Sequence, residues 1–212
     1  MTRSSRSAAQ NAPVAKVEIF VDPVCPFAWV TSQWLREVAL HRPIELSYST
    51  MSLAILNQDP ADPWESARGT ESAWRQVRVA EAIANDRGAE ARGDFLQKFG
   101  HRYHVLGERG RDEVLRASLK ELDSYEFYEA ADDHTFDGAV ERSHQRAIDA
   151  VAADGIGTPV TRIDGLGAFG PILTSVPRGL EALELFDAIT VLLRRPAFAE
   201  LKRARESDPV PD

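Results

Sequence analysis

Asp22-Pro23-Val24-Cys25-Pro26-Phe27-Ala28-Trp29 joins two segments of different periodicity. Before it, Val17-Glu18-Ile19-Phe20-Val21 alternates and reads as a half-buried strand. After it, Val30 to Leu40 carries apolar residues at spacings of three and four, the pattern of a helix. Cys25, the only cysteine in 212 residues, therefore stands where a strand turns into a helix. Pro26 suits the first helical position, where its missing N–H would have had no partner anyway. The free N–H groups and the positive end of the helix dipole favour a thiolate there. Elsewhere a lone cysteine is usually a small buried hydrophobe. This context predicts instead a reactive thiol, with a pKa below the ordinary value of about 8.5.

Working outward, Pro43-Ile44-Glu45-Leu46-Ser47-Tyr48-Ser49-Thr50-Met51 alternates again and gives a second strand. The helix between the two strands is long enough for a right-handed parallel crossover. Asp59-Pro60-Ala61-Asp62-Pro63 then breaks the chain. From Trp64 to Asp154 the period is helical. One stripe (Ala73, Val77, Ala80, Ala84) ends at Asp86-Arg87-Gly88; others are Phe95/Leu96/Phe99/Tyr103, Val114/Leu115/Leu119/Leu122 and Phe136/Val140/Ala147/Ile148/Val151. Strand character returns at Thr158 to Gly165, with a short partner at Ala168 to Leu173 after a Gly165-Leu166-Gly167 turn. A last helix runs from Pro177 to Arg194, with up to two further turns between Phe198 and Arg205. The domain reading is a disordered leader (1–14), a first α/β half (15–58), a helical insertion (59–154), a second α/β half (155–206) and a frayed tail (207–212).

Bulk properties bound the function. The chain is 43% hydrophobic and 27% charged, ordinary for a globular protein. Its net charge of −8 argues against binding a nucleic-acid backbone. No apolar run reaches the length of a membrane span. Met1 to Asn11 has no apolar segment after Arg3 and Arg6, so it does not read as a secretory signal. One cysteine cannot form an internal disulfide, which fits a reducing cytoplasm. The expectation is a soluble cytoplasmic protein with no nucleic-acid or membrane partner; a homodimer stays open.

The order strand–helix–strand, helical block, strand–strand–helix, with Cys25-Pro26 at a helix start and Thr158-Pro159 at a strand start, resembles the thioredoxin superfamily. The branch is DsbA-like, in which a helical subdomain is inserted into the thioredoxin fold. A separation of 134 positions between Cys25 and Pro159 fits the inserted form. The resemblance implies that Pro159 is cis and that Thr158 presents its backbone to the sulfur of a substrate. Val21 to Trp29, Met51-Ser52-Leu53-Ala54-Ile55-Leu56-Asn57, Gly157-Thr158-Pro159-Val160 and Phe169-Gly170-Pro171-Ile172-Leu173 with Val176-Pro177-Arg178-Gly179 are most similar to the cytosolic mycothiol-dependent (nitro)reductases. A more distant likeness is to the kappa-class glutathione transferases and hydroxychromene-carboxylate isomerases, which carry serine where Cys25 stands. What this implies is a thiol-dependent oxidoreductase with no bound cofactor. Its co-substrate would be a low-molecular-weight thiol, mycothiol or glutathione, and its substrates disulfides or small electrophiles such as nitroaromatics.

One departure shapes the mechanism. Dithiol members of the branch have a second cysteine at the place of Ala28. Without it Cys25 cannot pass an internal disulfide, so an outside thiol must release any adduct. The expected site is catalytic Cys25 with Pro26, Phe27, Ala28, Trp29, Asn57, Thr158, Pro159 and His144 around it. Asp22 reads as a helix cap or a proton acceptor through water, Trp29 as core with one edge in the site. Asn57 is equally a polar turn residue or a ligand contact beyond the strand ends. His144, on an apolar helical stripe, is either a satisfied core group or a site residue. His101 and His104 have the spacing of metal ligands but lack the further ligands a site needs, so no metal is expected. Asp132-Asp133-His134 reads as a solvated turn. Two alternatives remain: a kappa-like transferase or isomerase in which Cys25 only stabilises a bound thiolate, and a binding or chaperone-like module without turnover.

Overall fold

In the computed structural model of the protein, the described residues are 14–57, 69–205 and 207–211. The leader up to residue 13, the 58/59 boundary and the Asp59–Pro63 break lie outside them.

Strand β1 (Ala15–Val21) leads through Cys25 into α1 (Pro26–His41), and β2 (Ile44–Thr50) pairs with β1 in parallel along its whole length, from Ala15↔Ile44 to Val21↔Thr50. A helical crossover is what a parallel pair requires. A four-residue helix α2 (Leu53–Leu56) follows. The helical block comprises α3 (Trp74–Gly100), a π-helical turn (His101–Val105), α4 (Arg111–Glu121), 3₁₀ turns (Tyr125–Asp132, His134–Phe136) and α5 (Asp137–Val151). Strands β3 (Val160–Ile163) and β4 (Leu166–Phe169) complete a sheet of order β2-β1-β3-β4, and α6 (Gly179–Leu193) packs back on α1. This is a mixed α/β fold of thioredoxin type with a helical insertion.

Two local readings are corrected. The hairpin turn is Asp164-Gly165, with φ of 50° and 87°, and Leu166 and Gly167 are already strand. Two consecutive left-handed residues make the tight turn that matches strand twist, and Asp-Gly is a favoured pair for it. Gly88 does not end a helix followed by a loop. At φ 90° and ψ 179° it breaks helical geometry for one residue, and helix resumes at once, so two stripes become the two arms of one kinked α3. Asp132-Asp133-His134 is an exposed turn, as read, with Asp132 also paired to Arg75 and His134 lying against Arg78 and Asp137.

The core joins the inner face of β1 (Val17, Ile19, Val21) to Trp34, Leu35 and Val38 of α1, Phe95 and Phe99 of α3 and Phe186 of α6. Arg92 of α3 fastens the insertion to edge strand β2. Its guanidinium donates to the Tyr48 carbonyl (3.0 Å), Ser49 Oγ (3.0 Å) and Glu81 (3.2 Å), while Thr50 Oγ1 donates to Glu81 at 2.6 Å. A buried ion pair is tolerable when its remaining valences are filled in this way. The result is that α3 is held beside the ends of β1 and β2, where Cys25 lies.

Candidate active site

Asp22, at the end of β1, organises the site. Only 1% exposed, it accepts from Val24 N–H through Oδ1 (3.0 Å) and from Leu53 N–H through Oδ2 (2.7 Å). Its own N–H donates to Thr158 Oγ1 at 3.2 Å. One buried carboxylate thus ties the Cys25 turn to the start of α2, and its backbone reaches the Thr158 strand. It caps the short α2 rather than α1.

Cys25 is the N-cap residue of α1, with extended backbone (φ −81°, ψ 115°), and Pro26 follows at the first helical positions. Its S–H donates to the Thr158 carbonyl, 3.5 Å away, and Thr158–Pro159 is a cis peptide. Thr158, 133 positions distant, is held there because its Oγ1 also donates to the Phe20 carbonyl at 3.4 Å. Cys25, Pro26 and Thr158-Pro159 are therefore brought together across the cleft.

The thiol is not acidified. Cys25 is 7% exposed, and burial pushes its pKa up to about 11. The Ala28 amide pulls it down, the Asp22 charge pushes it up, and the Phe27 amide adds a smaller downward pull. The expectation of a depressed value failed because desolvation disfavours the charged form more than two helix amides favour it. At pH 7 the protonated thiol therefore dominates. The alkylation rate of Cys25 should rise continuously through pH 9 without a plateau below about pH 10. A titration midpoint at or below 8.5 would contradict this environment. Since the folded value lies above the unfolded one, the thiol's contribution to stability is complete below about pH 9 and declines as pH rises through 11.

Trp29 is also buried, stacked on His104 with ring centroids 5.9 Å apart. His104 Nε2 donates to the Pro23 carbonyl at 2.9 Å, and burial lowers its pKa to about 4, so it is neutral at pH 7. No reading of the sequence singled out His104 as part of this site. It stands 79 positions from Cys25, carried there by the π-helical turn, a feature without a periodicity of its own. Among the described residues no group of three or more His, Cys, Asp or Glu could hold a metal. Behind Trp29, Gly100 leaves room for the indole, since a Cβ there would lie 2.4 Å from Trp29 Cε3. Gly100→Ala should cost about 1–3 kcal/mol through overpacking, read as a lowered thermal midpoint; an unchanged midpoint would show that the indole can retreat.

Of the other expected residues, Phe27 and Ala28 lie beside Cys25, while no bond links Asn57 or His144 to it among the described residues. Phe27 stays half-buried on the first turn of α1, and Ala28 is fully buried. Asn57 ends α2, exposed, and its side chain makes no hydrogen bond among the described residues. His144 is buried on α5 with Nδ1 unpartnered, and burial lowers its pKa; no bond links it to the Cys25 turn among the described residues. Ser143, next to it, donates to the Thr50 carbonyl at 2.8 Å.

Comparison with known proteins bears on the fold and the family. Among solved structures, the chain is similar to 2-hydroxychromene-2-carboxylate isomerase (TM-score 0.56, 14% identity, 84% of this chain and 95% of that one). It is also similar to the cytosolic disulfide reductase DsbM from Pseudomonas aeruginosa with GSH (TM-score 0.54, 14% identity, 83% and 99%). At these identities the likeness concerns the fold. The uncharacterized protein Rv2286c of Mycobacterium tuberculosis is 31% identical over 194 residues, 89% of this chain and 82% of that protein. A family model described as Rv2466c-like, mycothiol-dependent nitroreductase Rv2466c, matches residues 24–203. With its cysteine on a helix start, opposite a cis-proline strand, in a thioredoxin fold with a helical insertion, the chain belongs to the Rv2466c-like family.

Proposed function

We propose that this protein is a cytoplasmic monothiol oxidoreductase in which Cys25 attacks a disulfide or small electrophile and a mycothiol-like thiol completes the turnover. The observation that carries this reading is the placement of the chain's only sulfur nucleophile at the start of α1, 3.5 Å from the Thr158 carbonyl. The Thr158 backbone, whose carbonyl faces the thiol, offers a docking point for a substrate beside the sulfur. For a disulfide RSSR, the Cys25 thiolate forms a Cys25–S–S–R bond and expels RS⁻. A second thiolate then attacks that mixed disulfide, forms its own disulfide with R and returns Cys25. For a nitroaromatic, the two electrons come from the same conversion of two thiols to one disulfide, which reduces the nitro group to nitroso and releases one oxygen, with the two thiol protons, as water. No metal or resident cofactor is needed for either balance.

A second reading is favoured by one specific feature. The buried Cys25 keeps its proton and presents an S–H donor, as a hydroxyl would. A donor in that position can hydrogen-bond the thiolate of a bound co-substrate, which would make the protein a kappa-like transferase or isomerase with glutathione or mycothiol.

Intact mass separates the two. After incubation with mycothiol disulfide or glutathione disulfide, the covalent reading expects one adduct on Cys25, removed by free small thiol. Absence of an adduct from either disulfide at any pH up to 9, with thiol-dependent turnover retained, would leave the transferase reading in its place.

A further inference from the structure

The chain beyond α6 returns to the site. Phe198 N–H closes a turn on the Arg195 carbonyl (2.9 Å), and no helix forms between Phe198 and Arg205. Further on, the Arg205 guanidinium lies over the Phe27 ring, 4.9 Å from its centroid. Arg205 has no ion-pair partner among the described residues, and its guanidinium rests on the aromatic face. Val210 N–H then donates to the Thr174 carbonyl at 2.8 Å, and its flanking prolines, Pro209 and Pro211, are half-buried. The end of the chain, expected to fray, is attached at two points.

Both points lie by the first turns of α1. Phe27 is two residues past Cys25. Thr174 follows Pro171, whose carbonyl accepts from Thr31 Oγ1 at 2.7 Å. Phe27 and Thr31 are one helical turn apart, on the same face of α1. A segment seated on Phe27 and bonded at Thr174 therefore runs along the first turns of α1, within a turn of Cys25.

We propose that residues 196–205 and 207–211 form a strap across the mouth of the Cys25 site, held by Arg205 on Phe27 and by the Val210–Thr174 backbone bond, and that its release admits thiols and disulfides. Both fastenings are of a weak kind, one exposed cation–π contact and one backbone hydrogen bond, so an open population is accessible without unfolding the domain. The low exposure of Cys25 is consistent with a covered site, and opening would return water to the thiol. The consequence for catalysis rests on Cys25 being the reacting group; the strap itself does not.

The test compares alkylation of Cys25 by iodoacetamide and by a bulky maleimide–poly(ethylene glycol), followed by intact mass on the full-length chain. The Arg205→Ala/Val210→Pro variant removes the guanidinium and the N–H donor together. It should react about tenfold faster with the bulky reagent, and with a smaller gain for iodoacetamide, with an unchanged far-UV spectrum. Wild-type rates for both reagents in the folded variant would overturn the strap. Should that variant fold poorly, amide exchange in the wild type decides: a protected Val210 N–H supports the strap, and exchange at the unstructured rate removes it. A changed reagent ratio alongside full turnover in Cys25→Ser would keep the strap and discard the nucleophile.

Discussion

Cys25→Ser is expected to lose thiol-dependent turnover by at least about a hundredfold, because a serine hydroxyl at this position has no base to activate it as a nucleophile. The nearest titratable groups give no such help. Asp22 has both carboxylate oxygens engaged by Val24 and Leu53 amides, and the His104 Nε2–H already donates to the Pro23 carbonyl. The substitution is conservative for the fold. A hydroxyl can still donate to the Thr158 carbonyl, so the thermal midpoint should stay within a few degrees of wild type. A large loss of activity with an intact midpoint is therefore a chemical result. The transferase reading makes the opposite prediction, since serine supplies the same hydrogen bond to a bound thiolate. Retention of turnover in Cys25→Ser would decide in its favour.

Ala28→Cys should convert the protein from a monothiol to a dithiol enzyme. Side chains three apart on a helix have Cβ atoms about 5–6 Å apart, close to the range a disulfide spans, so only small adjustment at the N-terminal turn is required. Ala28 is fully buried, and the added sulfur must be housed. A small cavity of about 10 Å³ lined by Asp22, Ala28, Trp29, Ser32 and Gly100 lies next to it and takes part of that volume. The remaining overpacking should cost about 1–3 kcal/mol in the reduced form. After mild oxidation the variant should contain no free thiol, and it should oxidise small dithiols without added monothiol, whereas the wild type depends on external thiol throughout. Two titratable thiols persisting after oxidation would mean that helix geometry at 25–28 forbids the bridge. The Cys25→Ser/Ala28→Cys double variant should lose both activities.

The amino-acid sequence by itself determined the elements and their order. Alternation in Val17–Val21 and Ile44–Tyr48 and the three-and-four spacing after Trp29 act through neighbours only a few residues away, so each was legible locally, whereas the hairpin turn was read one residue late, at Gly165-Leu166-Gly167 instead of Asp164-Gly165. The position of Cys25 at a helix start, followed by a proline, was legible for the same reason. Where the local signal was interrupted, the reading slipped: Gly88 looks like a helix end in sequence, yet helix resumes directly after it, and residues of both arms (Val79, Ala80 and Ile83; Phe95, Leu96 and Phe99) belong to one core cluster. Tertiary structure alone decided the thiol's acidity. Helix amides could be read from position, but the burial that outweighs them depends on everything packed over residue 25. It also decided that Asp22 binds Leu53, that His104 rather than His144 reaches the Cys25 turn, and that Arg205 lies on Phe27. These are contacts between residues 31 to 178 positions apart. Desolvation and long-range approach are properties of the packed whole, and no periodicity within one element encodes them.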